Sequence, residues 1–383
     1  METFLFLCMD IALYDSLDIQ SQLLPFTFTR PVAEVRVGIL TITEKWRQRG
    51  FHTSFVTRDY LSDKYQKAKV SLEVNGGLCP NDELIEAINS LQEQEELHAG
   101  DQVLAKRAGG GKIKQFEGDY LLIQHTWDIF QHNRAEIIND YSVITNSRKS
   151  QPITDPHTVI YGKENVFVEE GAKIRAALIN AEDGPVYIGK NAQIHEGAMI
   201  KGAFAIGEGG HVNMGAKIKG DTTIGPYSKV GGEVSNSVIF GYSNKGHDGF
   251  MGNSVIGEWC NLGADTNTSN LKNNYAQVKL WDYASGRFAN TGLQFCGLMM
   301  GDHAKCGINT MFNTGTVVGV GANIFGAGFP RNFIPSFSWG GAQGFTTYQL
   351  RKFGEVAAAV MARRSKEYDE QEQAILEKVF ENT

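Results

Sequence analysis

Residues 186–231, VYIGKNAQIHEGAMIKGAFAIGEGGHVNMGAKIKGDTTIGPYSKVG, place an aliphatic β-branched residue at every sixth position. The members of this series are Ile188, Ile194, Ile200, Ile206, Val212, Ile218, Ile224 and Val230. A period of six matches neither a helix nor an alternating strand. It is typical of short strands separated by corners, in which three sides form one triangular coil and stacked coils bury the aliphatic column. We therefore predict a parallel β-helix.

The six-residue pattern recurs on both sides of this stretch, after a short insertion at AEDGP (181–185) and again beyond two interruptions that follow Val230 and Leu262. It includes Val168, Ile174, Ile256, Leu262, Met300, Cys306, Phe312, Val318 and Ile324. Glycine is also frequent, with 43 of 383 residues, or about 11% against a usual value of roughly 7%. The residue after the aliphatic position is often small, as at Gly189, Gly207, Asn213, Gly225 and Gly231. We expect these residues to form the corners, in left-handed backbone conformations.

Composition excludes several other classes of protein. The net charge of −7 argues against a nucleic-acid-binding protein, which usually has a basic surplus. The five cysteines have no CxxC spacing, so we expect neither a disulfide framework nor a metal site. No apolar run approaches the roughly 20 residues that span a bilayer, and the first residues have no basic segment of the kind that begins a signal peptide. We expect a cytoplasmic protein without a membrane partner.

The remaining sequence indicates two further parts. In residues 1–150, strand-like runs at 4–7, 51–56 and 120–123 alternate with helical patterns at 82–97 and 127–138. This alternation predicts an α/β domain with a parallel sheet.

At the other end, residues 348–380 have the pattern of one charged amphipathic helix, packed on the last coil or on a neighbouring subunit. Its apolar stripe comprises Leu350, Phe353, Val356, Val360, Leu376 and Val379. We therefore expect an α/β domain at 1–150, a β-helix at 151–340 and a helical extension at 341–383.

The six-residue register fails between Val230 and Ile256. Regular coils act as scaffolds, so function is expected where the pattern departs from the scaffold. The interrupting segment is rich in glycine and carries Lys245, His247 and Asp248. A histidine side chain titrates near neutrality and can take the proton that an amine loses as it attacks a thioester. We therefore predict that His247 is a general base.

The interrupting segment also resembles a known family. Residues 233–272 are similar to the acetyltransferase domain of the bifunctional UDP-N-acetylglucosamine pyrophosphorylase/glucosamine-1-phosphate N-acetyltransferase family. The family's loop reads K-x-x-H-L-x-Y-x-G-D, followed by N-x-G-A-G-T and a further asparagine. Here NKGHDGFMGN at 244–253 is followed by NLGADT at 261–266 and by Asn270.

The resemblance implies the fold, the ligands and the roles of individual residues. It implies left-handed coils, a homotrimer with sites between subunits, and acetyl-CoA held by the coils at 301–326. His247 falls on the family's catalytic base, and Asn261 and Asn270 fall on positions that hydrogen-bond the sugar. The predicted substrate-binding set is Asn261, Asn270, Lys272, Lys245 and Phe250, with Lys272 at the phosphate.

Three positions depart from the family's pattern. Phe250 replaces a tyrosine, Asp265 replaces a glycine, and Ser235 stands where a phosphate-binding lysine is expected. The amino-sugar phosphate is therefore less firmly implied than acyl transfer from CoA.

Residues 23–31, LLPFTFTRP, resemble the PLTxxRPKP segment of sugar-1-phosphate nucleotidyltransferases. Those enzymes need a glycine-rich loop after the first strand, whose N–H groups bind phosphates. Here the corresponding residues, MDIALYDS at 9–16, contain no glycine, and Val32 replaces the expected lysine. Arg30 and Arg36 are candidate nucleotide ligands, GGGK at 109–112 is a candidate flexible loop, and Mg²⁺ is expected only if this domain is active.

Three hypotheses follow. The first is acetyl-CoA-dependent N-acetylation of an amino-sugar phosphate, with glucosamine-1-phosphate as the leading candidate, either alone or together with sugar-1-phosphate nucleotidyl transfer. The second is a sugar-1-phosphate nucleotidyltransferase that uses UTP or dTTP, with the β-helix serving oligomerisation or regulation. The third is a non-catalytic scaffold.

Overall fold

The computed structural model describes residues 9–108 and 110–383. The strand predicted at residues 4–7 and the first glycine of the predicted 109–112 loop lie outside these residues. Among the described residues, no helix combines the length and apolar composition that crossing a membrane requires. The same residues contain no group of three or more His, Cys, Asp or Glu side chains positioned to hold a metal ion.

The N-terminal part has alternating strands and helices. Its strands are β1 (Met9–Tyr14), β2 (Phe51–Val56), β3 (Leu72–Asn75), β4 (Leu78–Cys79), β5 (Glu95–Ala99), β6 (Gln102–Arg107), β7 (Lys112–Gln115) and β8 (Leu121–Leu122). Its helices are α1 (Leu17–Gln22), α2 (Ile42–Gln48), α3 (Asp82–Asn89), α4 (Asp128–Gln131) and α5 (Asn133–Thr145). Single 3-10 turns occur at Phe26–Phe28, Val32–Glu34 and Asp59–Leu61.

Local capping explains where these helices begin. Thr41 and Glu44 form a capping box at the start of α2, in which each side chain accepts the other residue's backbone N–H. Asn81 caps α3, because its side chain accepts the N–H of Leu84 at 2.8 Å.

The main sheet of this part is mixed, with the order β2-β1-β3-β6-β5-β7. Strand β1 pairs in parallel with β2 and β3, but β6 is antiparallel to both β3 and β5. The prediction of a parallel sheet was therefore wrong. The cause is the hairpin β5–β6, where Gly100 with a φ of 58° permits a tight turn. The helix predicted at 82–97 ends at Asn89 for the same reason, since residues 95–99 enter this hairpin.

The remaining strands continue from residue 159. They are β9 (Val159–Tyr161), β10 (Val166–Val168), β11 (Lys173–Ile174), β12 (Leu178–Asn180), β13 (Val186–Ile188), β14 (Gln193–Ile194), β15 (Met199–Lys201), β16 (Phe204–Ile206), β17 (His211–Val212), β18 (Lys217–Ile218), β19 (Thr222–Ile224), β20 (Lys229–Val230), β21 (Glu233–Ser235), β22 (Val238–Gly241), β23 (Asn244–Lys245), β24 (Phe250–Gly252), β25 (Val255–Glu258), β26 (Asn261–Leu262), β27 (Asn267–Thr268), β28 (Lys279–Asp282), β29 (Arg287–Asn290), β30 (Met299–Met300), β31 (Lys305–Cys306), β32 (Met311–Phe312), β33 (Val317–Val318), β34 (Asn323–Ile324), β35 (Phe333–Ile334), β36 (Ser338–Gly341) and β37 (Gly344–Thr347).

These strands form a parallel β-helix, as predicted. The first face is β10-β13-β16-β19-β22-β25-β30-β33-β35, the second is β11-β14-β17-β20-β23-β26-β31-β34-β36-β37, and the third is β32-β27-β24-β21-β18-β15-β12-β9. Pairing is parallel except between β36 and β37. The antiparallel hairpin β28–β29 projects from the coils as an insertion. A 3-10 turn at Lys163–Asn165 connects β9 to β10.

The predicted aliphatic column lies inside the coils. Ile188 pairs with Ile206, which pairs with Ile224, and Ile194 pairs with Val212, which pairs with Val230. Every member of the eight-residue series is at most 2% exposed. Stacked coils therefore bury the column that the period of six indicated.

The corner residues differ from the prediction. Left-handed backbone occurs three residues after the aliphatic position, at Asn191, Gly197, Gly209, Gly215, Asp221, Tyr227, Tyr242, Trp259 and His303. Glycine directly after the aliphatic position has another role, because a Cβ on Gly189 would lie 2.7 Å from the carbonyl oxygen of Ile206 in the next coil. Glycine at that position permits close stacking of the coils, and it is not required for the left-handed turn.

The N-terminal part packs on the first face. Ile137 of α5 shares a buried cluster with Ala205 of β16 and with Ala203, which precedes that strand, and the rings of Phe26 and Phe240 have centroids 5.1 Å apart. One hydrophobic core therefore continues from the α/β part into the β-helix.

The C-terminal segment forms two helices, α6 (Leu350–Ala362) and α7 (Glu370–Asn382), where one was predicted. The chain leaves the helical conformation after α6 at Ser365, whose φ is 54°. Phe353 of α6 packs against Phe337 of the last coil, with ring centroids 5.0 Å apart. The segment therefore packs on the last coil, which is one of the two positions predicted for it from the sequence.

Candidate functional site

A groove of about 660 Å³ opens on the second face beside the end of α6. The coils contribute side chains from successive strands of that face, and α6 and the residues after it form the opposite wall. The residues used in the argument below are Lys229, His247, Asn261, Lys305, Arg363 and Arg364.

His247 lies at the corner where the chain passes from β23 on the second face to β24 on the third, and its side chain is exposed. The loop around it is held closely against neighbouring coils. Asn213 donates to the carbonyl oxygen of Gly246 at 2.7 Å. Gly249 has a φ of 112°, and a Cβ there would overlap the backbone of Thr266. The imidazole therefore projects from a well-fixed backbone into the groove.

Lys245 does not line the groove. It pairs with Val230 in the next coil, so it occupies the aliphatic column and is only 2% exposed. Its Nζ donates to the carbonyl oxygens of His247 at 2.6 Å and of Asp248 at 3.1 Å. Burial lowers the pKa of this amine to about 8. The predicted substrate contact is instead an internal tether for the loop that carries His247, because in the short strand β23 it is Asn244 that faces outward.

The other predicted substrate residues are distributed over three places. Asn261 lines the groove with His247. Asn270 and Phe250 belong to the third face, where the side chain of Asn270 donates to Oδ1 of Asn253 at 2.8 Å and the N–H of Phe250 donates to Oδ1 of Asn267 at 2.8 Å.

Lys272 lines a separate groove of about 680 Å³ at the inserted hairpin, beside Lys279 and Trp281. Its Nζ donates to the carbonyl oxygen of Gln277 at 3.0 Å. The structure therefore brings His247 and Asn261 together, but it does not bring Asn270, Phe250 or Lys272 into their groove.

Arg30 and Arg36 face the β-helix and not an open nucleotide site. Arg30 is 6% exposed, forms an ion pair with Asp302, and lies 3.4 Å from Oε2 of Glu258. The two carboxylates hold the pKa of Arg30 well above its usual value, against the opposing effect of desolvation. Arg36 is 7% exposed and donates to the carbonyl oxygen of Phe240 at 3.1 Å. Both predicted nucleotide ligands connect the two parts of the chain in this structure.

Sequence reasoning missed the basic side chains of the groove. Lys229 and Lys305 occupy outward positions of regular coils, where a lysine is ordinarily a solvated residue. Arg363 and Arg364 lie more than 100 residues from His247 along the chain. The available signal was the run ARRSK at 362–366, which directly follows an amphipathic helix.

These cations repel one another. The pKa of His211 is lowered to about 4, first by desolvation and then by Lys229, His195 and Arg364. Desolvation, Arg364 and Arg363 lower the pKa of Lys229. At one edge of this surface, Oε2 of Glu196 lies 4.0 Å from Nδ1 of His195. The second face is therefore locally cationic in a chain whose net charge is −7.

The low pKa of His211 gives a testable pH dependence. The folded state binds a proton at His211 more weakly than the unfolded chain does, whose histidine pKa is about 6.5, so stability is lost as the pH falls from about 6.5 toward 4. We expect His211→Gln to match the melting temperature of the wild type at pH 8 and to exceed it at pH 5. Thermal unfolding at both pH values measures this. If the melting temperatures of His211→Gln and the wild type differed by the same amount at pH 5 and pH 8, this pH dependence would be wrong.

Comparisons with known proteins agree with this architecture. Residues 11–149 match the family model described as sugar nucleotidyl transferase. A protein of Sulfurisphaera tokodaii named bifunctional sugar-1-phosphate nucleotidylyltransferase/acetyltransferase is 28% identical over 239 residues, which cover 62% of this chain and 52% of that protein. The bifunctional protein GlmU of Methanocaldococcus jannaschii is 37% identical over 87 residues, covering 23% of this chain and 21% of that protein.

These matches confirm the resemblance drawn from the sequence to bifunctional nucleotidyltransferase/acetyltransferases. Both parts of that resemblance are represented: the N-terminal match is to a nucleotidyltransferase model, and the first relative's name includes both activities. The chain spans about half the length of that relative and less of the other.

Solved structures that match parts of this chain include the polySia-specific acetyltransferase NeuO, at 15% identity and a TM-score of 0.27 over 50% of this chain and 85% of that one. The UDP-N-acetylglucosamine acyltransferase of Arabidopsis is 16% identical, with a TM-score of 0.25 over 55% of this chain and 78% of that one. Scores this low carry no argument about function.

Proposed function

We propose that the groove beside His247 transfers an acetyl group from acetyl-CoA to the amine of an amino-sugar phosphate, with glucosamine-1-phosphate as the leading substrate. The observation that carries the proposal is the exposed imidazole of His247 on a tethered loop, facing a groove with Asn261 and several cations. The proposal includes a division of the chain into 1–150, 151–340 and 341–383. It also includes a cytoplasmic location, with which the buried free thiols of Cys79, Cys260, Cys296 and Cys306 are consistent.

The chemistry needs one base and a fixed acceptor. The amine nitrogen attacks the thioester carbon, the C–S bond breaks, and CoA leaves as a thiolate that takes up a proton. His247 accepts the proton that the amine loses as the N–C bond forms. Asn261 offers an amide that both donates and accepts hydrogen bonds, which suits a sugar hydroxyl.

The proposal also includes a homotrimer assembled through the third face. The first face is covered by the N-terminal part and the second partly by α6, whereas the third face exposes apolar side chains. Leu178 is 40% exposed, Met199 44%, Met311 38% and Val159 48%. Val159, Leu178 and Met199 are aligned on neighbouring strands, and exposed apolar surface of this kind is typical of an interface between proteins.

The experiment is an assay of thiol release. The protein is incubated with acetyl-CoA and glucosamine-1-phosphate, and free CoA is measured with a thiol reagent. We expect release that depends on the amino sugar, and none with glucose-1-phosphate, which has no amine. If no amino sugar or amino-sugar phosphate stimulates release, the proposed activity is wrong.

Lys245→Met tests the proposed loop tether. Methionine fits the apolar column, so we expect a melting temperature no lower than that of the wild type. Without the two hydrogen bonds to the carbonyl oxygens of His247 and Asp248, the loop can shift, and displacement of a reacting group by about 1 Å can cost roughly 100-fold in rate. We expect kcat to fall between roughly 10- and 100-fold. A wild-type kcat would show that the tether does not position the base.

A second candidate function is sugar-1-phosphate nucleotidyl transfer from UTP or dTTP with Mg²⁺ in the N-terminal part. The match of residues 11–149 to a nucleotidyltransferase model favours it. Arg30 and Arg36 contact the β-helix, and this argues against a role for these two residues in binding the nucleotide. Pyrophosphate release from UTP or dTTP, measured with Mg²⁺ and either glucose-1-phosphate or N-acetylglucosamine-1-phosphate as the acceptor, tests it.

A further inference from the structure

We infer that Lys229, Lys305, Arg363 and Arg364 form a binding site for the phosphate groups of a ligand, so that the residues after α6 belong to the binding machinery of the groove. The inference deepens the proposed function, on which it rests for the identity of the ligand. The site combines two lysines of the coils with two arginines from the distant C-terminal segment.

The four cations share one groove and are held in place. All four line the same groove as His247. Arg364 donates to Oδ1 of Asn244 at 3.2 Å, which fixes its guanidinium over the second face. The Nζ of Lys305 donates to the carbonyl oxygen of His303 at 2.9 Å. The packing of Phe353 on Phe337 anchors the helix from which the arginines follow.

None of these cations has an anionic partner within the described part of the chain. Among those residues, no carboxylate lies within 4.0 Å of the charged nitrogens of Lys229, Lys305, Arg363 or Arg364. Several other arginines do have a carboxylate partner, as Arg30 has in Asp302, Arg134 in Asp221 and Arg148 in Glu169. In a chain with a net charge of −7, four unpaired cations around one groove require an explanation.

Their mutual repulsion argues against a purely structural reason for their placement. Arg363 and Arg364 oppose the charge on Lys229, and Lys229 and Arg364 oppose protonation of His211. Like charges placed together destabilise the folded chain. Functional sites commonly retain a local destabilisation of this kind, and a bound ligand of opposite charge relieves it.

The chemistry of the cluster favours phosphate. A guanidinium offers two parallel N–H donors to a phosphate, and ammonium groups contribute compact charge. Four cations suit a ligand with several negative charges better than they suit a single carboxylate. In the proposed reaction, phosphate groups are present in CoA and in the sugar phosphate.

The test measures binding and not transfer. The double variant Arg363→Gln/Arg364→Gln is compared with wild type by calorimetric titration with CoA, with glucosamine-1-phosphate and with pantetheine, which has no phosphate. Arg351→Gln is the matched control, because Arg351 lies at the other end of α6 and its side chain is 79% exposed.

We expect at least one phosphate ligand to bind wild type and Arg351→Gln alike. The double variant should bind it roughly 100-fold more weakly, about tenfold for each arginine, and should melt no lower than wild type without ligand. If only one of the two ligands, CoA or glucosamine-1-phosphate, binds the double variant more weakly, the phosphate of that ligand is the one that the arginines hold. Equal binding by wild type and the double variant, or no binding of either phosphate ligand by wild type, would overturn the inference. If binding depends on the arginines but no acetyl transfer is measured, the phosphate site is supported and the proposed reaction is wrong.

Discussion

Replacement of His247 with alanine is expected to lower the kcat of acetyl transfer by roughly 10²- to 10⁴-fold, the usual contribution of a general base. Alanine leaves the amine without a proton acceptor when it attacks the thioester. The imidazole is exposed, and no packing contact depends on it, so the melting temperature should change by less than about 2 °C, since surface substitutions are nearly neutral. Thiol release and thermal unfolding of the purified variant measure the two quantities.

His157→Ala provides the control for this prediction. His157 is another exposed histidine, located near the first coil and away from the groove. Its replacement should leave kcat unchanged. If His247→Ala retained the wild-type kcat, His247 would not be the base. A fall in kcat accompanied by a large fall in melting temperature would attribute the effect to the fold.

Lys45→Met is expected to destabilise the protein by about 3–5 kcal/mol, the cost of removing one partner from a buried ion pair. Lys45 is 1% exposed, and its Nζ lies 2.6 Å from both carboxylate oxygens of Asp140 and 2.8 Å from Oε2 of Glu136. Asp140 is also 1% exposed and accepts the N–H of Ile39 at 2.8 Å. Methionine would leave two buried carboxylates without a counter-ion.

Urea unfolding of Lys45→Met measures this cost. Lys67→Met is the matched control, since Lys67 is 59% exposed on its side chain and pairs with Glu73 at 3.6 Å. An exposed pair of that kind contributes about 0–1 kcal/mol. Adding Asp140→Asn and Glu136→Gln to Lys45→Met should recover part of the stability. A loss below about 1 kcal/mol for Lys45→Met alone would show that the buried carboxylates do not need the lysine.

The β-helix could be predicted from the sequence because every coil repeats the same environment. Each inward position requires an aliphatic residue, and the equivalent position of the next coil requires one too. The six-residue period is therefore visible in the sequence from Ile188 to Val230. The corners were assigned wrongly because glycine has two uses in this fold. At Gly189 it permits close stacking, whereas left-handed backbone occurs at Asn191 and equivalent positions, some of which carry large aromatic residues such as Trp259.

The candidate site could be located only in part. His247 was identified because it lies where the register is interrupted, and Asn261 was identified because it falls on a position of the family motif that this segment resembles. Lys245 was assigned to the substrate because it lies in the loop that resembles the family's catalytic loop, and the strand register that turns it inward is visible only in the folded chain. Arg363 and Arg364 reach the groove through the packing of α6, which no local pattern encodes.

A crystal structure of the protein with bound CoA and an amino-sugar phosphate tests the central claim most directly. The account predicts density for the CoA sulfur and for the sugar amine beside the imidazole of His247, with the nitrogen within hydrogen-bond reach of the ring, roughly 2.6–3.2 Å. Density for either ligand only at another place on the chain, with the groove at His247 and Asn261 empty, would contradict it.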